Sequence, residues 1–212
     1  MTETYYKVLN ADGSCYHGGI GEWDLPNGKP GEWKSVEGDL IVCNNGIHLC
    51  RRADLVHWLG PAIFEVECTG KKRIEVTNKI VVSKARLVRK LETWNDCTAR
   101  LFAADCAEHV LPIWEKRYAH DTRPRAAIEA ARQFAYGGID SAACSAAYDA
   151  ADAAADAASG ADAYTAACSA AYAAACSATY NAARAATYAA LEDAEREWQT
   201  ARLFNYLDGE IA

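Results

Sequence analysis

The sequence predicts an α+β protein in which a small mixed β domain, residues 1–92, precedes an alanine-rich α-helical bundle, residues 93–212. Three observations carry that expectation. Period-two alternation and turn signals fill the first 92 residues, whereas alanine dominates from about Ile139 to Ala190. Charge divides at the same place: residues 1–92 hold thirteen Lys and Arg against twelve Asp and Glu, and residues 93–212 hold nine against seventeen. Alanine has the highest helix propensity and loses almost no side-chain entropy on ordering, so the second half reads as helical scaffold.

Along the first half, Tyr5 to Leu9 and Ser14-Cys15-Tyr16 read as two strands around Asp12-Gly13, a pair that supplies the positive φ of a tight turn. A loop rich in Gly and Pro runs from Gly18 to Gly38. Strands are expected again at Asp39 to Cys43, Ala62 to Cys68 and Lys79 to Val82, with a short helix at Arg51 to Leu59. In Ala62 to Cys68 the alternation predicts one buried face, Phe64, Val66 and Cys68, and one wet face, Ile63, Glu65 and Glu67.

Helix is expected after Thr93, with Leu101, Phe102, Cys106, His109, Val110 and Ile113 at helical spacing and Pro112 bending or ending it. Asp121 or Thr122 caps the next helix, Pro124 sits in its first turn, and Ala127, Ile128, Ala131 and Phe134 form its apolar face. Gly137-Gly138 ends it, and Asp140 or Ser141 caps the alanine tract. Within that tract Tyr164, Tyr172, Tyr180 and Tyr188 recur every eight residues. Eight residues advance a helix by about 80° beyond two full turns, so these tyrosines cannot share one face of a straight helix. They predict either shorter stacked helices or contacts with several neighbours. A core of small side chains gains little from burial, which leads to an expectation of self-association through this tract.

The net charge of −7 offers no basic stripe for a phosphate backbone, so nucleic acid is not expected as a partner. The acidic surplus of the helical half suits solubility or a basic partner protein. Nine cysteines, an odd number without a CxxC pair, behind a start that lacks a basic-then-apolar segment, predict a reducing cytoplasmic setting. Charges at Asp149, Asp152, Asp156, Asp162 and Arg184 argue against a membrane span in the alanine tract.

Candidate chemistry is sparse. Cys43, His48, Cys50 and His57 are metal-ligand types, but their spacing matches no established zinc pattern, and Cys43 also reads as a small core residue. No metal site and no catalytic residue is assigned. Cys15 or Cys50 with His17 lacks the third, orienting group of a nucleophile pair. Asn44-Asn45-Gly46 is a turn. Arg123, Arg125, Glu129 and Arg132, facing Asp105 and Glu108, form either a charged network between two helices or, at Arg123 and Arg125, an anion site.

Two resemblances add to this reading. Asn44-Asn45-Gly46-Ile47-His48-Leu49-Cys50, the short helix and Ala62 to Cys68 resemble a small phage and bacterial family without assigned function, and beyond it the segment is similar to ADP-ribosyltransferases, in a degenerate form. That similarity implies a cleft in which His17-Gly18 holds ribose and amide, His48 replaces a turn tyrosine, and His57 or Trp58 is a stacking platform. Where those enzymes carry a glutamate this chain has Thr77, Asn78 and Lys79, with Glu75 a few residues away. The implied site is therefore His17, Gly18, His48, Trp58 and Lys79, binding an NAD- or ADP-ribose-like nucleotide without transferring it. A transferase using the displaced Glu75 and an oligomeric scaffold are the alternatives.

Residues 100–136, with Arg123-Pro124-Arg125 opening a helix before the alanine tract, and Glu195-Arg196-Glu197-Trp198-Gln199 are similar to a helical family of immunity proteins from bacterial and phage genomes. This resemblance implies an accessory protein of phage or mobile-element origin, in a bacterial host cell, acting in defence or counter-defence. Its partner would be a protein or a small nucleotide ligand.

Overall fold

A computed structural model describes residues 3–147, 149 and 193–211. An antiparallel sheet is followed by helices, and the chain divides into two compact units, Met1–Trp94 and Asn95–Ala212.

The first unit is built on one long hairpin. Strand β4 (Ala62–Val76) pairs with β5 (Lys79–Lys90) across Thr77-Asn78, and β1 (Tyr5–Leu9) pairs with the free side of β4. Two short strands, β2 (Lys34–Ser35) and β3 (Ile47–Leu49), occupy successive stretches of the other side of β5. All pairings are antiparallel. The expected segment Lys79 to Val82 is thus the start of a strand that runs on to Lys90, and β4 runs eight residues past Cys68. Its register shifts between Glu65 and Val66 and between Thr69 and Arg73, the second shift admitting Gly70 as a bulge.

One sheet face buries Tyr5, Leu9, Leu49, Phe64, Val66, Ile80, Val82 and Leu87 together with Trp23 from the Gly/Pro loop. Ile63 is also fully buried, so the wet face of β4 starts only at Glu65, which pairs with Arg89, and Glu67, which pairs with Arg86. The Asp39 to Cys43 strand does not form. Asn45 instead accepts and donates backbone bonds with Ile41, and its side-chain amide donates to the carbonyls of Glu37 and Asp39 (2.8 and 2.9 Å), closing a turn. The Ser14 to Tyr16 strand reduces to isolated bridges from Leu9 to Cys15 and from Ser14 to Glu22. The expected helix at Arg51 to Leu59 is a 3-10 helix, Arg52–His57.

The second unit begins with α1 (Asp96–Arg117). Asn95 caps it: its side-chain oxygen accepts from the backbone N–H groups of Cys97 and Thr98, while the Thr98 hydroxyl oxygen accepts from Asn95 N–H. Pro112 neither ends nor replaces the helix, which continues to Arg117. Its missing N–H removes one bond to the preceding turn, and the burial of Leu101, Phe102, Cys106 and Leu111 on the same helix offsets that loss. Helix α2 (Arg123–Ala135) buries Pro124, Ala127, Ile128 and Ala131, while Phe134 is only half-buried under the Arg100 guanidinium. Gly137, at φ +72°, ends it, with Gly138 N–H reaching back to the Gln133 carbonyl. Asp140 caps residues 141–147, which are again helical. Helix α3 (Asp193–Leu207) buries Leu203, Phe204, Tyr206 and Leu207.

A carboxylate ties these helices. Asp105 on α1, buried, accepts from Arg132 of α2 (2.8 Å) and from Arg202 (2.7 Å) and Tyr206 (2.6 Å) of α3. Arg132 also donates to Glu108. The tyrosine register of the alanine tract and any self-association through it fall outside the described residues. No described helix is long and apolar enough to cross a membrane.

Candidate functional site

A cavity of about 680 Å3 opens in the sheet unit, and its walls follow from local chain chemistry. Arg51 holds the end of the β4–β5 hairpin: its guanidinium grips Asp54 through two bonds and donates to the carbonyls of Val76 (2.8 Å) and Thr77 (3.1 Å). Trp58, just after the 3-10 helix, donates its indole N–H to the Asn78 carbonyl (2.8 Å). These bonds fix the turn that begins β5, and so fix Lys79. On the opposite flank Gly46 sits at φ +148°, and an added Cβ would lie 2.3 Å from Val81, so only glycine lets the Asn44–Gly46 turn lie flat on the sheet.

The five residues singled out from sequence, His17, Gly18, His48, Trp58 and Lys79, all line this one cavity. Their bonding, however, differs from the implied roles. His17 Nε2 is 2.6 Å from the Trp58 carbonyl, so it carries the proton and braces the wall. His48 Nε2 accepts the backbone N–H of Cys43 (3.0 Å), which leaves the ring neutral. Burial, then the nearby Lys79 and Lys7 ammonium groups, hold its pKa below the ordinary histidine value. One face of the Trp58 ring carries the Lys79 ammonium, 4.9 Å from the ring centroid. His57 does not line the cavity.

Among the further lining residues, Lys7, Trp23 and Lys34 escaped the sequence reading. Lys7 donates from Nζ to the His48 carbonyl (3.1 Å) and lies 5.8 Å from the Trp23 centroid. Lys34 lies 5.7 Å from the same ring. Burial holds the Lys7 pKa below the ordinary lysine value. Cys43 is exposed rather than core, adopts φ +63°, and its sulfur accepts from Lys79 Nζ at 3.3 Å. A signal for Lys7 existed: a lysine inside Tyr5 to Leu9, a strand otherwise apolar or aromatic.

Chemically the cavity is cationic. Three lysines and two histidines line it and no Asp or Glu does, in a chain of net charge −7. Its volume suits a small organic ligand. Glu75, the displaced acidic residue of the transferase alternative, is not a lining residue; its carboxylate lies 3.6 Å from Arg51. Cys50 cannot serve as a nucleophile at neutral pH, because burial pushes its thiol up to about 12. Among the described residues no three His, Cys, Asp or Glu side chains converge as metal ligands.

The second sequence candidate resolves differently. Arg123 pairs with Asp121 through two bonds, and Arg125 with Glu115 through two bonds, so both guanidinium groups are already faced by carboxylates. The expected interhelical network forms in part: Arg132 reaches Asp105 and Glu108, and Arg125, seven residues before it on α2, reaches Glu115 near the end of α1. Glu129 accepts from Gln133 on its own helix.

Residues 89–205 match the family described as Imm-5 like putative immunity protein. The match takes in α1, α2 and most of α3, and leaves nearly all of the sheet unit outside. Neither a curated protein nor a solved structure matches the chain.

Proposed function

Because the chain belongs to the Imm-5 like putative immunity protein family, we propose that it is an accessory protein of bacterial defence or counter-defence, of phage or mobile-element origin, whose sheet unit sequesters an anionic, nucleotide-derived ligand. The observation that supports this reading is the cavity lined by Lys7, Lys34 and Lys79 without a carboxylate. Ammonium groups that line one cavity without a carboxylate among them repel one another, and a bound phosphate relieves that repulsion. The aromatic rings of Trp23 and Trp58 offer apolar surface for a base or a nicotinamide-like ring beside those charges.

Titration calorimetry of NAD, ADP-ribose and cyclic nucleotides into the full chain tests the reading. An anionic nucleotide should bind more tightly than its neutral nucleoside, weaken with salt, and lose affinity in Lys79→Glu. Absence of binding by every nucleotide at millimolar concentration overturns it.

A second reading rests on where the family match lies. Immunity proteins of this family imply a protein partner, a toxin, and the matched residues are those of the helical unit. Residues 93–212 carry seventeen acidic against nine basic side chains, which suits a basic surface on that partner. Association of the full chain with a candidate toxin that weakens steeply between low and high salt supports this reading; salt-independent association contradicts its electrostatic basis. Self-association through the alanine tract belongs to the same proposal and is tested by light scattering, a monomer at micromolar concentration counting against it.

A further inference from the structure

We propose that Lys7 is a carbonyl-capturing amine, and that the cavity takes an anionic, phosphate-bearing aldehyde which it holds as an imine on Lys7 Nζ. The proposal rests on the reading of the cavity as an anion site and adds the covalent step.

Lys7 stands in the core-facing row of β1. In β1 it alternates with Tyr5 and Leu9, both in the sheet core, and its cross-strand partner is the buried Phe64. A lysine placed in such a row costs stability unless its amine is paired or neutral. Among the described residues no carboxylate forms an ion pair with it; the one hydrogen bond from Nζ goes to the neutral His48 carbonyl. Its other polar neighbours are the thiols of Cys15 and Cys50, and the Cys50 thiol, held up to about 12 by burial, supplies no counter-charge at neutral pH. A desolvated amine without a carboxylate partner sheds its proton more readily than a surface lysine, and the free amine has the lone pair that a carbonyl carbon accepts.

The rest of the ligand follows from the neighbours. Lys34 shares the Trp23 ring with Lys7, and Lys79 lines the same cavity, so a group carrying negative charge is held while its carbonyl faces Nζ. The step balances without any co-reactant. The Nζ lone pair adds to the carbonyl carbon, one amine proton passes to the former carbonyl oxygen to give a carbinolamine, and as the C=N bond forms the second amine proton joins that oxygen, which leaves as water. Nothing is oxidised or reduced, and hydrolysis returns the aldehyde.

The test treats the full chain with pyridoxal 5′-phosphate, a phosphate-bearing aldehyde, then with cyanoborohydride, and maps the reduced adduct by peptide mass. The expected result is one adduct on Lys7, formed about tenfold faster than on any exposed lysine, because Lys34 and Lys79 hold the phosphate of the aldehyde in the cavity beside Nζ. Pyridoxal without the phosphate should label Lys7 more slowly. Lys7→Arg, which keeps the charge and cannot form the imine, should abolish the adduct; if that variant does not fold, the wild-type map decides alone. Adducts spread over exposed lysines with Lys7 untouched overturn the proposal. If nucleotides still bind in that case, only the covalent step fails. If Lys7 is labelled while no nucleotide binds, the imine stands and the nucleotide reading fails.

Discussion

The Lys79 ammonium sits over the Trp58 indole, 4.9 Å from its centroid, while the same indole donates its N–H to the carbonyl of the neighbouring Asn78. One side chain thus fixes both the backbone and the charge of the turn that enters β5. A flat ligand that stacks on Trp58 has to displace the ammonium from that face or use the other one, and an anion brought by the ligand compensates the displaced charge.

Trp58→Ala should therefore weaken nucleotide binding by about 1 to 3 kcal/mol, the range found where a base stacks on an aromatic side chain. Trp58→Phe, which keeps an aromatic face but not the N–H, should lose less. Calorimetric titration of ADP-ribose into both variants reads the difference, and equal losses would assign the effect to the Asn78 bond instead of to stacking.

Gly46→Ala should destabilise the sheet unit by about 1 to 3 kcal/mol, since a Cβ at φ +148° meets Val81 at 2.3 Å and the turn has to lift off the sheet. Urea unfolding followed by tryptophan fluorescence measures this. Gly18→Ala is the control: its Cβ would meet nothing within 4 Å, although φ +79° leaves a smaller backbone penalty.

Removing the carboxylate that joins three helices should cost more. Asp105→Ala leaves Arg202 and Tyr206 without their acceptor, while Arg132 keeps Glu108. Breaking a buried charged cluster in this way costs about 3 to 5 kcal/mol, with the lower end expected here because one arginine remains paired. Denaturant unfolding monitored by far-UV circular dichroism tests it.

The alkaline pH profile of stability should carry two opposed signatures from the cavity wall. Lys7 is depressed from 10.5, so the unfolded chain binds more protons there, and stability rises with pH from the depressed value up to 10.5. Cys50 is raised from 9.0 to about 12, so the unfolded chain has lost that proton first, and stability falls from 9.0 upward. Between 9.0 and 10.5, where the two windows meet, the falling Cys50 limb opposes the rising Lys7 limb, and above 10.5 stability should fall. Lys7→Met removes the rising limb; an unchanged profile in that variant contradicts the burial of the amine.

ADP-ribosyl transfer is not expected from this cavity. No carboxylate lines it to stabilise a developing oxocarbenium ion, and the Lys79 ammonium that does line it would oppose one. Incubation with labelled NAD and host lysate should leave acceptors at background. Labelling that disappears in Glu75→Gln would promote the transferase reading.

Much of this architecture is written in local chemistry. The alternation of Phe64, Val66 and Cys68, the Pro124 helix start, the Gly137 helix stop and the apolar stripe of Ala127, Ile128 and Ala131 each depend on neighbours a few residues away, which is why the α+β division could be read from the chain. Local signals misled where a tertiary partner overrode them. Val42 and Cys43 look like strand, but the Asn45 amide bonds to the carbonyls of Glu37 and Asp39 and closes a turn there. Pro112 looks like a helix end, but the buried face of α1 carries the helix past it.

For the site, sequence determined which residue types were available: a histidine before Gly18, an aromatic after the short helix, and a lysine at the start of β5. Only the tertiary structure decided that Lys7, Trp23 and Lys34, up to 72 residues from Lys79, meet it around one cavity, and that His17 and His48 spend a ring nitrogen on the protein's own backbone. Cross-strand register brings Lys7 opposite Phe64, and the β2 and β3 pairings with β5 bring Lys34 and His48 to that sheet. Register is set by the burial of whole strands, not by the identity of any one residue, so a cationic cluster assembled across strands leaves at most a single out-of-pattern residue, such as Lys7 in β1, as its local trace in the chain.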